Sequence, residues 1–366
     1  MAHLSLNGVA VVGGGPAGLM SALTIARSGA QVVLIDENDQ PGGQLCKQIH
    51  KFFGSKDHRA GVRGYRIATE LLEDCAAAGV EILTDTVVFS IQDCTLGLAH
   101  RDDCFYLKAQ AIILATGASE NPLAFPGSTL PGVMGAGAAQ TFVNLHRVLP
   151  GRRVLMVGGG NVGLIVSYQL LQAGAQVVGV VEALPRLSGY QVHAAKIKRA
   201  GVPIWTGHTV LEANGDQEVQ EVTVAAVDDH FQPLPGSERT LAVDTICLAV
   251  GLTPLAELAW QAGCRFFYQS ALGGQVPLHS VNMESTVPHI YVAGDMAGVE
   301  EASTALEEGT IAGLAAATAM GCSVPQAELE AAQERLASLR RGPFGDLRQR
   351  AKSELIKRWT DCHPGE

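Results

Sequence analysis

Val9-Ala10-Val11-Val12-Gly13-Gly14-Gly15-Pro16-Ala17-Gly18 and Val154-Leu155-Met156-Val157-Gly158-Gly159-Gly160-Asn161-Val162-Gly163 are two copies of one pattern. Each is an apolar run with β-strand character that ends in GxGxxG and opens a segment with helical spacing, the setting in which the glycine pattern signifies a dinucleotide site. The first glycine makes the tight turn out of the strand, the second lets backbone approach a pyrophosphate, and the third lets the helix pack closely. Helix N–H groups then face the anion. An acid at the end of the next strand should hold a ribose hydroxyl, and Val32-Val33-Leu34-Ile35 ends in Asp36 while Val177-Val178-Gly179-Val180-Val181 ends in Glu182. Two nucleotides are expected.

Working outward, the halves repeat one order of parts. After the first fingerprint come Ala78-Gly79-Val80-Glu81-Ile82-Leu83 and then Ala111-Ile112-Ile113-Leu114-Ala115-Thr116-Gly117; after the second come Ala200-Gly201-Val202-Pro203-Ile204-Trp205 and then Thr245-Ile246-Cys247-Leu248-Ala249-Val250-Gly251. The pattern predicts an α/β protein with two doubly wound, Rossmann-like parallel sheets, each with a small β excursion before its last strand. Gly13 to Gly79 spans 66 residues and Gly158 to Gly201 spans 43, so the first half holds 23 more, between Glu37 and about Arg66.

That extra stretch contains Gln40-Pro41-Gly42-Gly43-Gln44, whose paired glycines let the chain run against a flat group, for which a flavin ring is the natural candidate. Val287 to Gly294-Asp295 reads as a closing strand, and Ala302-Ser303-Thr304 as a helix start. Asp295 would accept from ribityl hydroxyls, and the helix-start amides would face the flavin edge where reduction places negative charge. The expected layout is a discontinuous FAD domain, 1–122 with 253–325, an inserted NAD(P)-type domain, 123–252, and a helical basic tail, 326–366.

The sequence from 8 to about 320 resembles the two-dinucleotide-binding-domain flavoproteins, the class of glutathione and thioredoxin reductases. The stretch Asn121-Pro122-Leu123-Ala124-Phe125-Pro126-Gly127 through Gly135-Ala136-Gly137-Ala138-Ala139-Gln140 is similar to the FAD subunit of opine oxidases and hydrogen cyanide synthase, and less closely to the α subunits of sarcosine oxidase and amino-acid dehydrogenase complexes. The resemblance implies FAD contacts from Gly13, Gly15, Pro16, Ala17, Gly18, Asp36, Glu37, Gly43, Gln44, Val88, Ala115, Thr116, Gly117, Gly294, Asp295, Ala302 and Ser303. It implies NAD(H) contacts from Gly158, Gly160, Asn161, Val162, Gly163 and Glu182. It also implies a multi-component amine or amino-acid dehydrogenase, whose partners would be a second flavoprotein subunit and a small iron–sulfur subunit.

Departures from the class matter equally. Disulfide reductases of this type would place cysteines at 45 and 50, where Leu45 and His50 stand, with Cys46 one place off. No CxxC pair occurs among the eight cysteines, so dithiol chemistry is not expected, and most thiols read as core filling. The tail holds only Cys362 where many relatives carry an iron–sulfur module; FMN or iron–sulfur would enter only through partner subunits.

Composition fits this reading: 366 residues, 47% apolar and 42 glycines suffice for one or two sizeable cores. Apolar runs stop short of the ~18–20 residues of a membrane span, and no signal-peptide pattern precedes the first fingerprint. A cytoplasmic protein without a membrane span or metal is expected. Residues 335–360 carry eight Lys or Arg against Asp346 and Glu354, so the rest of the chain bears −16 of the net −10 and should repel nucleic acid. The tail reads as two helices, Ala327 to Arg341 and Leu347 to Trp359, the second with Leu347, Ala351, Leu355, Ile356 and Trp359 on one face; it packs on its own domain or docks an acidic partner.

A flavin needs placement and electrostatics from the protein rather than a catalytic triad. His50, among Lys51, His58, Arg59 and Arg63 in the extra segment, is the one acid–base candidate, against a purely structural histidine. Glu182 favours NAD over NADP because a carboxylate repels a 2′-phosphate, although Arg186 lies nearby; the second site either works or is retained as architecture. Three functions remain open: the FAD subunit of a multi-component dehydrogenase, a self-contained NAD(P)H-dependent reductase feeding a ferredoxin, quinone or small molecule, and a non-catalytic nucleotide-binding redox subunit.

Overall fold

A computed structural model describes residues 2–52, 56–343 and 345–363. It forms two compact units, Met1–Ser119 with Thr253–Glu366, and Glu120–Leu252. The helices described are α1 (Pro16–Arg27), α2 (Gly64–Ala77), α3 (Ala136–Asn144), α4 (Asn161–Gln172), α5 (Gln191–Arg199), α6 (Glu257–Gln261), α7 (Ala302–Ala319), α8 (Gln326–Leu339) and α9 (Asp346–Cys362).

In the first unit a five-stranded parallel sheet runs in the order Ile290–Val292, Ala111–Leu114, Gly8–Val12, Gln31–Ile35, Glu81–Leu83. Val9, Val11, Ile112, Ile113 and Leu34 are fully buried, and the apolar runs lack alternation because both faces are covered: α1 and α7 pack on the sheet, and Ile91, Leu96, Leu98 and Leu107 of the antiparallel excursion join the same core. The second unit repeats the arrangement as Val133–Gly135, Thr245–Leu248, Arg153–Val157, Gln176–Glu182, Ile204–Thr206, again all parallel. The outermost strand beside the late apolar strand has different sources: the first unit takes it from the chain that follows the second unit, the second from its own beginning. Both units carry an antiparallel excursion, Thr86–Gln92 to Asp103–Lys108 and His208–Asn214 to Arg239–Ala242. The expected α/β class with two doubly wound sheets is therefore met.

Among the strands not foreseen, Ala2–Ser5 precedes the fingerprint strand and pairs in parallel with Asp103–Lys108 at the edge of the first excursion, and the short pairs Ala118–Glu120 with Leu252–Pro254 and Phe266–Gln269 with Gly274–Pro277 are further cases. The side chains of Ala2–Ser5 are exposed, so no apolar periodicity announces that strand.

Glycines set the central helix crossing of this unit. A Cβ at Gly309 of α7 would lie 2.2 Å from Ala17 O of α1, and Ser21 Oγ bridges the helices by donating to Gly309 O at 3.0 Å. This approach leaves both helix N-termini in the same unit as the first sheet's C-terminal edge, where doubly wound folds place their ligands.

The tail joins the first unit. Leu329, Ala332 and Leu336 of α8 enter its main core, while Ala351 and Leu355 of α9 cluster with Leu272, Val276 and Leu278. Trp359 Nε1 donates to Ser285 O at 2.8 Å. Leu347, placed on the apolar face in the sequence reading, is 65% exposed; the buried position beside Ala351 belongs instead to Lys352.

Candidate functional site

The first fingerprint closes on its acid. Gly14 N donates to Asp36 Oδ2 at 2.5 Å, and Asp36 Oδ1 accepts Asn38 N and Asn38 Nδ2, each at 2.8 Å. Four lone-pair directions on a carboxylate leave room for a hydroxyl donor beside these three bonds. The chain then returns to the fingerprint: Gly42 N donates to Gly14 O at 2.7 Å, and a Cβ at Gly43 would lie 2.9 Å from Gly15 Cα. Glu37 points to solvent, and Gly43 and Gln44 are exposed beside buried Leu45.

The second unit builds the same device. Gly159 N donates to Glu182 Oε2 at 2.8 Å, Leu184 N to Glu182 Oε1 at 2.9 Å, and Gly189 N to Gly159 O at 3.1 Å. Asn161 Oδ1 accepts Tyr190 N at 2.8 Å, which pins the loop across the start of α4. Val162 and Arg186 are exposed.

The third glycines have a sharper role than close helix packing in general. A Cβ on Gly18 would stand 1.8 Å from Gly13 O, and one on Gly163 would stand 2.0 Å from Gly158 O. Nothing lies within 4 Å of a Cβ built on Gly15, in contrast to its crowded neighbour Gly14. Gly15 and Gly160 cap α1 and α4 without a side-chain hydrogen bond, so the first-turn amides, Ala17 and Gly18 in the first unit, have no acceptor inside their helices. An open face above backbone N–H groups at a helix start fits a pyrophosphate, and the first unit has it; at Gly160 a Cβ would meet Ser188 Oγ at 3.5 Å, an ordinary contact.

At the closing strand, Gly294 sits at φ +72°, and a Cβ there would lie 2.9 Å from Ala17 Cβ, which places the Gly294–Asp295 turn against the first fingerprint. Asp295 Oδ1 accepts Glu300 N at 3.2 Å. Burial pushes the Asp295 carboxyl up to about 6; the Glu300 N–H opposes this, and the charges of Glu308, Glu300 and Glu301 add to it. The first-turn amides of α7, Ala302 and Ser303 among them, lack intrahelical acceptors. Thr116 Oγ1 donates to Leu255 O at 2.6 Å, Ala115 is buried, and Val88 is half-buried in the excursion.

The extra segment is braced within its own unit. Phe52 N donates to Val62 O at 2.8 Å and Gly61 N to Phe52 O at 2.9 Å, and residues 53–55 lie outside the described ones. His58 Nε2 is 3.1 Å from Glu307 Oε1 of α7, Arg59 pairs with Glu70, and Arg63 donates to Ile49 O. His50 stacks on Phe52 with ring centroids 6.3 Å apart.

Sequence reasoning missed several residues. Asn38 braces Asp36, and Glu120 accepts Gly137 N and Ala138 N at 2.6 and 3.2 Å at the start of α3. A buried cluster of Glu300, Glu308, Arg340, Lys352 and His279 backs the Gly294 turn. Its signal was present in Ala305-Leu306-Glu307-Glu308-Gly309, where two acids interrupt an apolar helix and so require partners.

All eight cysteines are free thiols. Burial pushes Cys75 up to about 11 and Cys247 up to about 12, and Cys46 is raised by burial and by Asp36. At these three positions thiolate chemistry is thereby disfavoured. Among the described residues no helix is long and apolar enough to cross a membrane, and no group of His, Cys, Asp or Glu is arranged to hold a metal.

The sequence pattern of the pyridine nucleotide-disulphide oxidoreductases matches residues 7–309. The chain belongs to that family. It is therefore an oxidoreductase of the FAD- and NAD(P)-binding, Rossmann type. Among curated proteins, this family member is 31% identical to the HcnB subunit of hydrogen cyanide synthase from Pseudomonas aeruginosa over 90% of the chain and 75% of that protein. It is 27% identical to an opine oxidase subunit of Rhizobium meliloti over 94% of the chain and 78% of that protein. A thioredoxin reductase from T. acidophilum shares the fold, with a TM-score of 0.70 at 21% identity, covering 86% of this chain and 98% of that one.

Proposed function

We propose that the chain is the FAD-carrying subunit of a multi-component amine or amino-acid dehydrogenase of the opine, sarcosine or proline type, acting in the cytoplasm with a second flavoprotein subunit and a small iron–sulfur subunit. The observation that carries this is the pairing of similarity along nearly the whole chain to proteins named as enzyme subunits with eight free cysteines in place of a disulfide pair. When bound, FAD accepts a hydride equivalent and passes the electrons on.

The first unit's part is to hold and orient that group. Amides of Ala17 and Gly18 at the start of α1 receive the anion, Gly15 leaves it room, and Asp36, fixed by Gly14 and Asn38, receives ribose hydroxyls. Gly43, Gln44, Val88, Ala115, Thr116 and Gly117 line the flavin; Asp295 takes ribityl hydroxyls, and the Ala302 and Ser303 amides stabilise negative charge on reduction. In the second unit Gly158, Gly160, Asn161, Val162, Gly163 and Glu182 bind NAD(H). His50 is retained as the single acid–base candidate, and His50→Asn with unchanged turnover would remove it.

A second reading, a self-contained NAD(P)H-dependent flavin reductase, is favoured by one feature: the second unit reproduces the amide–carboxylate bonds of the first. Gentle untagged purification separates the two. A second flavoprotein and an iron–sulfur subunit should accompany the chain, and an isolated chain with full NADH oxidation toward artificial acceptors would overturn the subunit reading. Gly18→Val should abolish FAD retention; stoichiometric flavin in that variant would contradict the placement of FAD in the first unit.

A further inference from the structure

Lys352 of α9 is 1% exposed. Its Nζ donates to Glu308 Oε1 at 2.7 Å and Ala297 O at 2.9 Å, and lies 3.4 Å from His279 Nε2. His279 places Nδ1 2.9 Å from Ser280 O, and burial, followed by the Lys352 charge, lowers it to about 3, so it meets Lys352 as a neutral acceptor. Arg340 reaches Glu300 through Nε at 3.0 Å and Nη2 at 2.5 Å, and Glu308 Oε1 through Nη2 at 2.5 Å. The other Glu308 oxygen, Oε2, accepts Gly294 N at 2.9 Å. Two side chains, Lys352 and Glu308, thus connect the C-terminal helix to the Gly294–Asp295 turn.

A buried ion pair is a poor device for stability alone, because apolar residues of similar volume pack there with less desolvation. What an apolar pair would lack is an acceptor for Gly294 N–H. Burial alone would drive Glu308 to its neutral form; Lys352 and Arg340 overcome that and hold it ionised. By holding Oε1, the cations therefore fix the carboxylate whose other oxygen reaches out of the cluster to the turn abutting the first fingerprint.

We infer that Lys352 and Arg340 are positioning residues of the FAD site, fixing Gly294–Asp295 through Glu308 and making α9 part of the cofactor-holding unit. This rests on the reading that the turn lines the FAD site. The test uses the full chain stripped of flavin and titrated with FAD, followed by flavin fluorescence and the visible flavin spectrum. Lys352→Met should weaken FAD binding at least about tenfold and alter the bound spectrum. Lys352→Met with Glu308→Gln keeps a neutral acceptor for Gly294 N–H and should return affinity to within about threefold of wild type. Lys352→Met with Glu308→Leu removes the acceptor and should lose affinity like the single variant. Equal, wild-type affinity in all folded variants, with only the melting temperature changed, would overturn the inference. A positioning link is also reciprocal: in the wild-type chain, FAD must slow hydrogen exchange across residues 346–362, and no change there overturns the inference whether or not the variants fold. A wild-type chain that binds no FAD would instead overturn the underlying reading of the site.

Discussion

Asp295 sits in an environment that opposes stability at neutral pH. An unfolded aspartate ionises near 3.9, whereas burial and three neighbouring glutamates hold this one at about 6. Between those values the native state keeps a proton that the unfolded state has released, so stability falls as pH rises, and the penalty is complete above about 6. That gap corresponds to about 3 kcal/mol. Asp295→Asn keeps an oxygen for Glu300 N and removes the charge. The flavin-free variant should melt at least about 5 °C higher than wild type at pH 7.5, match it near pH 4, and bind FAD more weakly; equal melting at pH 7.5 would refute this account. Gly13, Gly18, Asp36 and their counterparts were readable because a tight turn and a close helix admit few residue types. Asn38 and Glu120 were not, since a short polar side chain bonding to backbone leaves no pattern at fixed spacing.

At the scale of elements, the tail separates what spacing reveals from what it hides. Helical periodicity marked both α8 and α9, within a few residues at each end. It could not show that Lys352 turns inward while Leu347 turns out, because that choice is made by Glu308 on a helix 44 residues away. Arg335, Arg340 and Lys352 pair with Glu307, Glu300 and Glu308 in the same unit, which weakens the case for the basic tail as an acidic partner's landing site. Glu308 is held ionised below the ordinary carboxylate range by Lys352 and Arg340 against the opposing effect of burial. A depressed carboxylate stabilises the native state fully above its unfolded value and loses that contribution progressively as pH falls from there through its native value of about 2. Hydrogen exchange in residues 346–362, corrected for intrinsic rates, should therefore accelerate below about pH 4 before that of the strand Gly8–Val12. Simultaneous release of both would show that α9 is not held by this cluster.

Across the whole molecule, the duplication supplies two fingerprint turns closed by the same amide–carboxylate bond but only one unit with paired glycines after its acid and a closing Gly-Asp turn. That asymmetry was legible because Pro41-Gly42-Gly43-Gln44 and Gly294-Asp295 have no counterpart in the second half, whereas the direction of electron flow leaves no mark on composition or spacing. The two proposed functions differ in that direction. If the second unit feeds the flavin, NADH should bleach the isolated chain in stopped-flow absorbance, and Glu182→Ala should slow bleaching at least about tenfold by leaving the buried Gly159 amide, and the part-buried Leu184 amide, without their acceptor. FAD content should not change, since Asp36 and Gly14 make their bond in the other unit's sheet. If electrons instead enter from an amine and leave through partner subunits, NADH leaves the flavin oxidised in wild type and variant alike, and the amine reduces it only in the intact complex. Bleaching by NADH that is fast and indifferent to Glu182 would contradict both accounts, because hydride would then be arriving without the nucleotide site that the second fingerprint builds.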